Sequence, residues 1–157
     1  MSTLGIENIE HTNGTTAMTV DSTGRVLTPA RPAFLAKKLG GSNTTGIVDF
    51  ETIVVNVGNG YSNSTYKFTA PVAGIYQLQT FCLTTNNSDA NDLTIRINDV
   101  RYANARADVT NAAHNTISMS TIASLSVGDL VHVAVGGGSG ISAASSDYNN
   151  FSGFLIG

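Results

Sequence analysis

The chain has 157 residues, a formal net charge of −3 and 12% charged residues, against roughly 25% in an average soluble domain. Its eight Lys and Arg residues are scattered, which argues against a nucleic-acid partner because clustered cations neutralise phosphates. No stretch approaches the roughly 20 apolar residues of a membrane-spanning helix, so we expect no membrane insertion. Thr favours strands, and Ser, Asn and the 16 Gly favour turns, so the composition predicts an all-β protein with many loops.

Residues 1–30 contain short apolar segments separated by turn sequences. Asn13-Gly14 and Thr23-Gly24 each lie between such segments, a pattern typical of β-hairpins. So small a ribbon cannot bury enough apolar surface to be stable alone. We therefore interpret residues 1–30 as an attachment arm that packs against another protein or against copies of itself. Its candidate attachment residues are Ile9, Met18, Val20 and Val26.

Pro29 and Pro32 mark the boundary between this arm and a second domain, residues 31–157, because proline cannot donate to a strand ladder. Short apolar runs then alternate with turns, as in a β-sandwich or barrel. Residues 103–113 are interpreted as loop and edge strand. The predicted strands are Ala33–Leu39, Ile53–Val57, Thr65–Ala70, Ile75–Thr84, Leu93–Ile97, Thr116–Leu125, Leu130–Val135 and Phe151–Ile156. The predicted turns include Gly40–Asn43, Asn86–Asp89 and Gly136–Gly140.

Between residues 50 and 76 the sequence reads Phe, five residues, Asn, four residues, Tyr, six residues, Phe, five residues, then Gly-x-Tyr. This spacing resembles the signature of the complement-one-q globular domain, with departures at Leu78 and Thr80, where the signature has aromatic residues. The resemblance implies a ten-stranded jelly-roll sandwich of the tumour-necrosis-factor type over residues 31–157, assembled as a homotrimer. The family-signature core residues are Phe50, Asn56, Tyr61, Phe68, Gly74 and Tyr76.

Strand alternation predicts which side chains face the trimer axis. In the strand from Ile75, the signature residue Tyr76 shares one face with Leu78, Thr80 and Cys82, so this face should fill the core. The opposite face carries polar Gln beside apolar side chains, which is typical of a partly polar subunit interface. A similar split occurs in Leu130–Val135. The predicted interface residues are Gln77, Gln79, Phe81 and His132; a solvated face with a chance Phe81 is the alternative.

Residues 9–26 resemble a segment common in structural proteins of marine and cyanobacterial phages. The first 14 residues lack the basic and apolar regions of a secretory signal, so we expect the protein to assemble in a host cytoplasm and to reside in a virion. The resulting hypothesis is a short fibre, tail appendage or capsid decoration subunit. Its arm would bind other capsid or tail proteins, and its head would adhere to a host-surface glycan or protein. A trimeric cell-surface ligand or lectin-like binder outside any virion is the alternative.

Residues that could carry chemistry are isolated. His11, His114 and His132 lie far apart without the spacing of a zinc site, and no calcium loop, phosphate loop or carboxylate pair is present. Cys82 lies in an apolar run, which predicts a buried, inert thiol. We therefore expect no catalytic residue, no metal, no cofactor and no enzymatic activity. The adjacent residues Lys37-Lys38 are interpreted as a solvated strand edge.

Overall fold

The structure of the chain is a computed structural model. It describes residues 5–40, 46–85, 91–107, 114–136, 140–142 and 146–157. The predicted turns at Gly40–Asn43, Asn86–Asp89 and Gly136–Gly140 lie wholly or largely outside these residues. The chain divides into two compact units, Met1–Arg31 and Pro32–Gly157, which we call the arm and the head.

The arm is a three-stranded antiparallel sheet of β1 (Asn8–Glu10), β2 (Thr16–Val20) and β3 (Val26–Leu27), in that order. Both predicted hairpins are confirmed. Gly14 provides the positive φ of 82° that the first turn requires. The second turn is organised by Asp21, whose carboxylate accepts bonds from the Thr23 hydroxyl and from Arg25. These bonds lower the pKa of Asp21 to about 2.

The head is a sandwich of two antiparallel sheets. One sheet has the order β11-β10-β13-β8-β7, with β5 also paired to β13, and the other has the order β12-β9-β14-β4-β6. A 3₁₀ turn, Ser146–Tyr148, precedes the last strand. The strands are β4 (Ala33–Lys37), β5 (Gly46–Ile47), β6 (Thr52–Val57), β7 (Tyr61–Ser62), β8 (Lys67–Thr69), β9 (Gly74–Thr85), β10 (Asn91–Ile97), β11 (Val100–Ala107), β12 (His114–Leu125), β13 (Leu130–Gly136) and β14 (Asn149–Leu155).

The predicted all-β jelly roll is confirmed. All eight predicted strands are present, and β11 is an edge strand, as expected for the start of residues 103–113. The resemblance implied ten strands, whereas the described residues of the head form eleven, two of which, β5 and β7, have only two residues each. We refer to the two layers as the five-stranded sheet and the six-stranded sheet.

The core lies between these sheets. From β9, Tyr76, Leu78, Thr80 and Cys82 are all fully buried, which confirms the predicted alternation. The Thr80 hydroxyl donates to the Asn150 carbonyl at 2.8 Å, so a polar group is tolerated where the family signature has an aromatic residue. Aromatic rings join the two layers: Phe34 stacks on Phe68 with centroids 4.5 Å apart and meets Phe151 edge-on at 4.8 Å.

The signature residues fix the β6–β7 connection and the start of β9. The Asn56 amide donates to the Tyr61 carbonyl at 2.9 Å and accepts from the Tyr61 amide at 3.0 Å. The Tyr61 hydroxyl donates to the carbonyl of buried Phe50 at 3.0 Å. At Gly74 a Cβ atom would stand 2.6 Å from Leu155 Cδ1 and 3.0 Å from the Gly157 carbonyl oxygen, so a larger residue would force the Leu155 side chain to move. The signature residues Phe68 and Tyr76 are buried in the core, as Phe50 and Tyr61 are.

Lys38 departs from its predicted solvated position. Its side chain is fully buried, and Nζ bonds to Asp49 Oδ1 and to the Gly40 carbonyl, both at 2.5 Å. The reason is register: Lys38 continues the inward row of Phe34 and Ala36, while Lys37 points outward and bonds to Asp147. A buried lysine requires such a partner because an unpaired charge in the core is strongly destabilising.

Candidate subunit interface and attachment face

The outward face of the five-stranded sheet, which we call the sheet face, is built from three cross-strand rows. Each row runs from edge strand β6 through β4, β14 and β9 to edge strand β12. The first row is Val57, Ala33, Phe154, Gln77 and Ile122. The second row is Val55, Leu35, Ser152, Gln79 and Ser120. The third row is Thr52, Lys37, Asn150, Phe81 and Ser118.

The first row forms an exposed apolar end of the sheet face. Phe154 is 50% exposed and Ile122 is 56% exposed. Ile75 and Ile156 extend the apolar end beyond the row, since the Ile156 amide donates to the Ile75 carbonyl at 2.7 Å. Adjacent exposed side chains of this size mark an interaction surface rather than a solvated one.

Three of the four predicted interface residues lie together on this face. Gln77, Gln79 and Phe81 occupy one row each along β9. The Gln77 amide donates to the Ser120 hydroxyl, so β9 and β12 are also joined through side chains. Phe81 is half-buried between Asn150 and Ser118. Their contact with a second subunit stays a prediction.

The structure does not place His132 with these three residues. It lies on β13 in the six-stranded sheet, where Val131, Val133 and Val135 fill the core. Alternation does turn His132 away from that core, but the outward sides of two stacked sheets point in opposite directions. His132 Nε2 lies 3.8 Å from Asp99 Oδ1, and the residue is 2% exposed. Burial and the nearby charge of Lys67 lower the pKa of His132, against the opposing effect of Asp99.

The C1q domain family matches residues 33–156, most of the chain and nearly all of the head. The chain belongs to the C1q domain family. Domains of the C1q and tumour-necrosis-factor-like type are binding or ligand domains that typically form homotrimers. The predicted family is therefore confirmed.

Two solved structures share the fold of this C1q domain. The globular domain of zebrafish complement 1qA is 19% identical, with a TM-score of 0.65, over 81% of this chain and 98% of that one. Murine APRIL in a crystal structure at pH 5.0 is 12% identical, with a TM-score of 0.67, over 80% of this chain and 99% of that one. At these identities the likeness establishes the fold alone.

Outside the C1q domain, the arm brings its four predicted attachment residues together. Ile9 pairs with Met18 and Val20 pairs with Val26, and Met18 and Val20 are two positions apart on β2. All four therefore share one face of the arm sheet, which we call the arm face. The opposite face carries Leu27 beside the polar pair Thr19 and Asn8, where the Thr19 hydroxyl donates to Asn8 Oδ1 at 3.0 Å.

The residues considered for chemistry stay apart within the described ranges. Cys82 is buried in the C1q domain, and burial raises the pKa of its thiol to about 12. Among residues that the structure describes, no group of three or more His, Cys, Asp or Glu could hold a metal ion. The same residues include no helix with the length and apolarity that a membrane crossing requires. The side chain of His114 lies outside the described part.

Proposed function

We propose that the chain is a bacteriophage virion protein, a short fibre, tail appendage or capsid decoration subunit. Three C1q heads form a trimer, the arms bind capsid or tail proteins, and the heads adhere to a host-surface glycan or protein. The phage setting is supported by the resemblance of residues 9–26 to phage structural proteins. The observation that carries the proposal is the arm face, an exposed apolar surface on a sheet too small to be stable alone.

Trimer formation is supported by the distribution of apolar side chains on the sheet face. A threefold contact is heterologous, so the surface near one edge of a subunit meets a different surface of its neighbour. The β6 side of the sheet face is rich in apolar groups such as Val55 and Val57, and the β9–β12 side mixes Ile122 and Phe81 with Gln and Ser. Such a mixture of apolar and hydrogen-bonding groups is typical of subunit interfaces.

Attachment through three arms compensates for the small size of each arm face. Four side chains bury far less than the roughly 800 Å² per partner of a standard stable interface. Three copies held on one rigid trimer bind with avidity, because the second and third contacts become intramolecular. Weak single arms on a trimeric head therefore suffice for stable attachment.

The path of the chain through the head supports this arrangement. The head begins at Pro32, whose carbonyl accepts from the Leu155 amide at 2.9 Å, close to the start of β9. The far ends of β9 and β13 and the start of β14 lie at the opposite end of the sandwich. The end of the head remote from Pro32 is therefore the end that we propose meets the host surface.

Immunogold labelling of purified virions with antibodies against the head tests the proposal. We expect labelled particles, and light scattering of the purified chain at three times the subunit mass. Particles without any copies, together with trimers recovered from a cell surface, would replace the virion role by that of a free ligand or lectin-like binder.

A matched pair of arm variants tests the role of the arm face. Val26 and Leu27 are adjacent and exposed, but they lie on opposite faces of the arm sheet. In a phage complemented with Val26→Asp, we expect the number of copies per particle to fall at least tenfold, because a carboxylate would be desolvated in the contact. Leu27→Asp should leave it within about twofold. Equal losses in both variants would contradict attachment through the arm face.

A further inference from the structure

Near the irregularity between β10 and β11, the outward face of the six-stranded sheet holds more cations than carboxylates: Lys67, Arg96 and Arg101 against Asp99. Arg96 of β10 stands directly opposite Arg101 of β11 in the antiparallel ladder, next to a register shift between Ile95 and Arg96. Like charges in this position destabilise a strand pair. Local arrangements that oppose folding are found preferentially at functional sites.

The hydrogen bonds of these residues leave the two guanidinium groups largely free. The carboxylate of Asp99 forms an ion pair with Lys67, whose Nζ lies 3.0 Å from Asp99 Oδ1. Arg96 donates from Nη1 to the backbone carbonyl of Asp99 at 3.2 Å, and its Nε is buried without an acceptor among the residues described. The side chain of Arg101 is exposed and forms no hydrogen bond or ion pair within the described part of the chain. The donors left for an external anion are therefore the guanidinium group of Arg101 and the Nη2 group of Arg96.

A buried histidine lies next to the pair. His132 of β13 is the neighbour of Arg96 on the other side of β10. Its Nδ1 also has no partner among the described residues, although the side chain is almost fully buried. Lys67 and Arg96 thus lie near His132 with Asp99 as the nearby carboxylate, and Arg101 lies on the far side of Arg96.

We propose that the Arg96–Arg101 pair binds the carboxylate or sulfate group of an acidic polysaccharide. A guanidinium group can donate two parallel hydrogen bonds to two oxygens of a planar carboxylate or of a tetrahedral sulfate group. The inference rests on the proposed function, because it names the host-surface ligand of the head. The site stays accessible in the proposed trimer, since the sheet face lies on the other side of the core.

A polysaccharide fits this site better than a nucleic acid does. Duplex DNA carries about one charge per 1.7 Å and requires an extended track of cations, whereas this chain has a net charge of −3. A polysaccharide with one charge on each sugar or each second sugar needs only a local pair at each contact. Since the protein as a whole is repelled by polyanions, retention on such a polymer reports this local surface.

Retention of the full-length protein on immobilised polymers at low ionic strength tests the proposal. Three polymers are compared: polygalacturonate carries carboxylates, dextran sulfate carries sulfates, and neutral dextran serves as the blank. We expect retention on at least one acidic polymer and none on dextran; which acidic polymer retains the protein identifies the oxyanion. Retention on neither, or tighter retention on single-stranded DNA, overturns the proposal.

Single-charge variants separate a specific site from general attraction. Arg101→Gln should weaken the apparent Kd about tenfold or more, the loss expected for hydrogen bonds between charged groups. Arg31→Gln is the matched control, because Arg31 is also exposed and has no ion pair with any described residue. Equal losses in both variants would refute the site.

Immunogold labelling of virions is independent of this result, so failure of the polysaccharide site and failure of the virion role are distinguishable.

Discussion

The two outward faces of the head differ sharply in charge, although the same strand alternation produces both. In the three rows of the sheet face, Lys37 is the only charged side chain, and it is paired with Asp147. The six-stranded sheet instead carries Lys67, Arg96, Arg101 and Arg106 together with Asp92 and Asp99. Because the core constrains only inward positions, outward positions are free to specify partners. The difference therefore indicates two kinds of partner: another subunit on one side and a charged ligand on the other.

The strongest test of this comparison places a charge in the apolar end of the sheet face. Phe154→Asp should convert the trimer to monomers, because desolvating a carboxylate costs on the order of several kcal/mol per subunit. Val100→Asp is the control, since Val100 is 69% exposed at the start of β11 on the other sheet. Light scattering measures the assembly state. A trimeric Phe154→Asp protein would show that the apolar end is not the interface.

A smaller effect is expected in the third row, where Phe81 lies among polar side chains. Phe81→Asp should raise the dissociation constant of the trimer about tenfold to a hundredfold, a typical cost for an aromatic residue in an interface. Sedimentation equilibrium over a concentration series gives this constant. An unchanged value would favour the solvated face with a chance Phe81.

The six-stranded sheet should respond to pH without any change in assembly. The folded-state pKa of His132 lies below the ordinary histidine value of 6.5, so the unfolded chain takes up a proton first as the pH falls. The free energy of unfolding should therefore decrease as the pH drops below 6.5 towards the lowered pKa, while the trimer persists. In His132→Asn this component should be absent. Chemical unfolding at several pH values measures it, and identical pH profiles for the two proteins would contradict the assignment.

Much of the head could be predicted from the sequence because its signals are local. The inward row of Tyr76, Leu78, Thr80 and Cys82 follows from alternation alone, and Gly74 and Asn56 occupy positions that a fixed spacing identifies. In the arm, two hairpin turns fix the register, which places the four predicted attachment residues on one face.

The remaining features depend on which strands are neighbours, and local patterns do not reveal this. His132 was grouped with Phe81 because both face away from the core, but they belong to different layers. The Arg96–Arg101 pair requires the register of β10 and β11 beside a bulge. The outward orientation of Phe154 could be predicted from the sequence, because it follows buried Phe151 and Gly153 in the alternation of β14. Its apolar neighbours could not be predicted, because they come from β4, β6 and β12.

The single cysteine of the chain offers a built-in probe of how often the sandwich opens. Cys82 is buried on the inward side of β9 and its thiol pKa is about 12, so neither access nor thiolate formation permits alkylation while the two sheets are packed. A pulse of thiol reagent would therefore label only molecules whose layers have separated. The rate of labelling, followed by mass spectrometry, would report the opening kinetics of the native protein without any engineered residue.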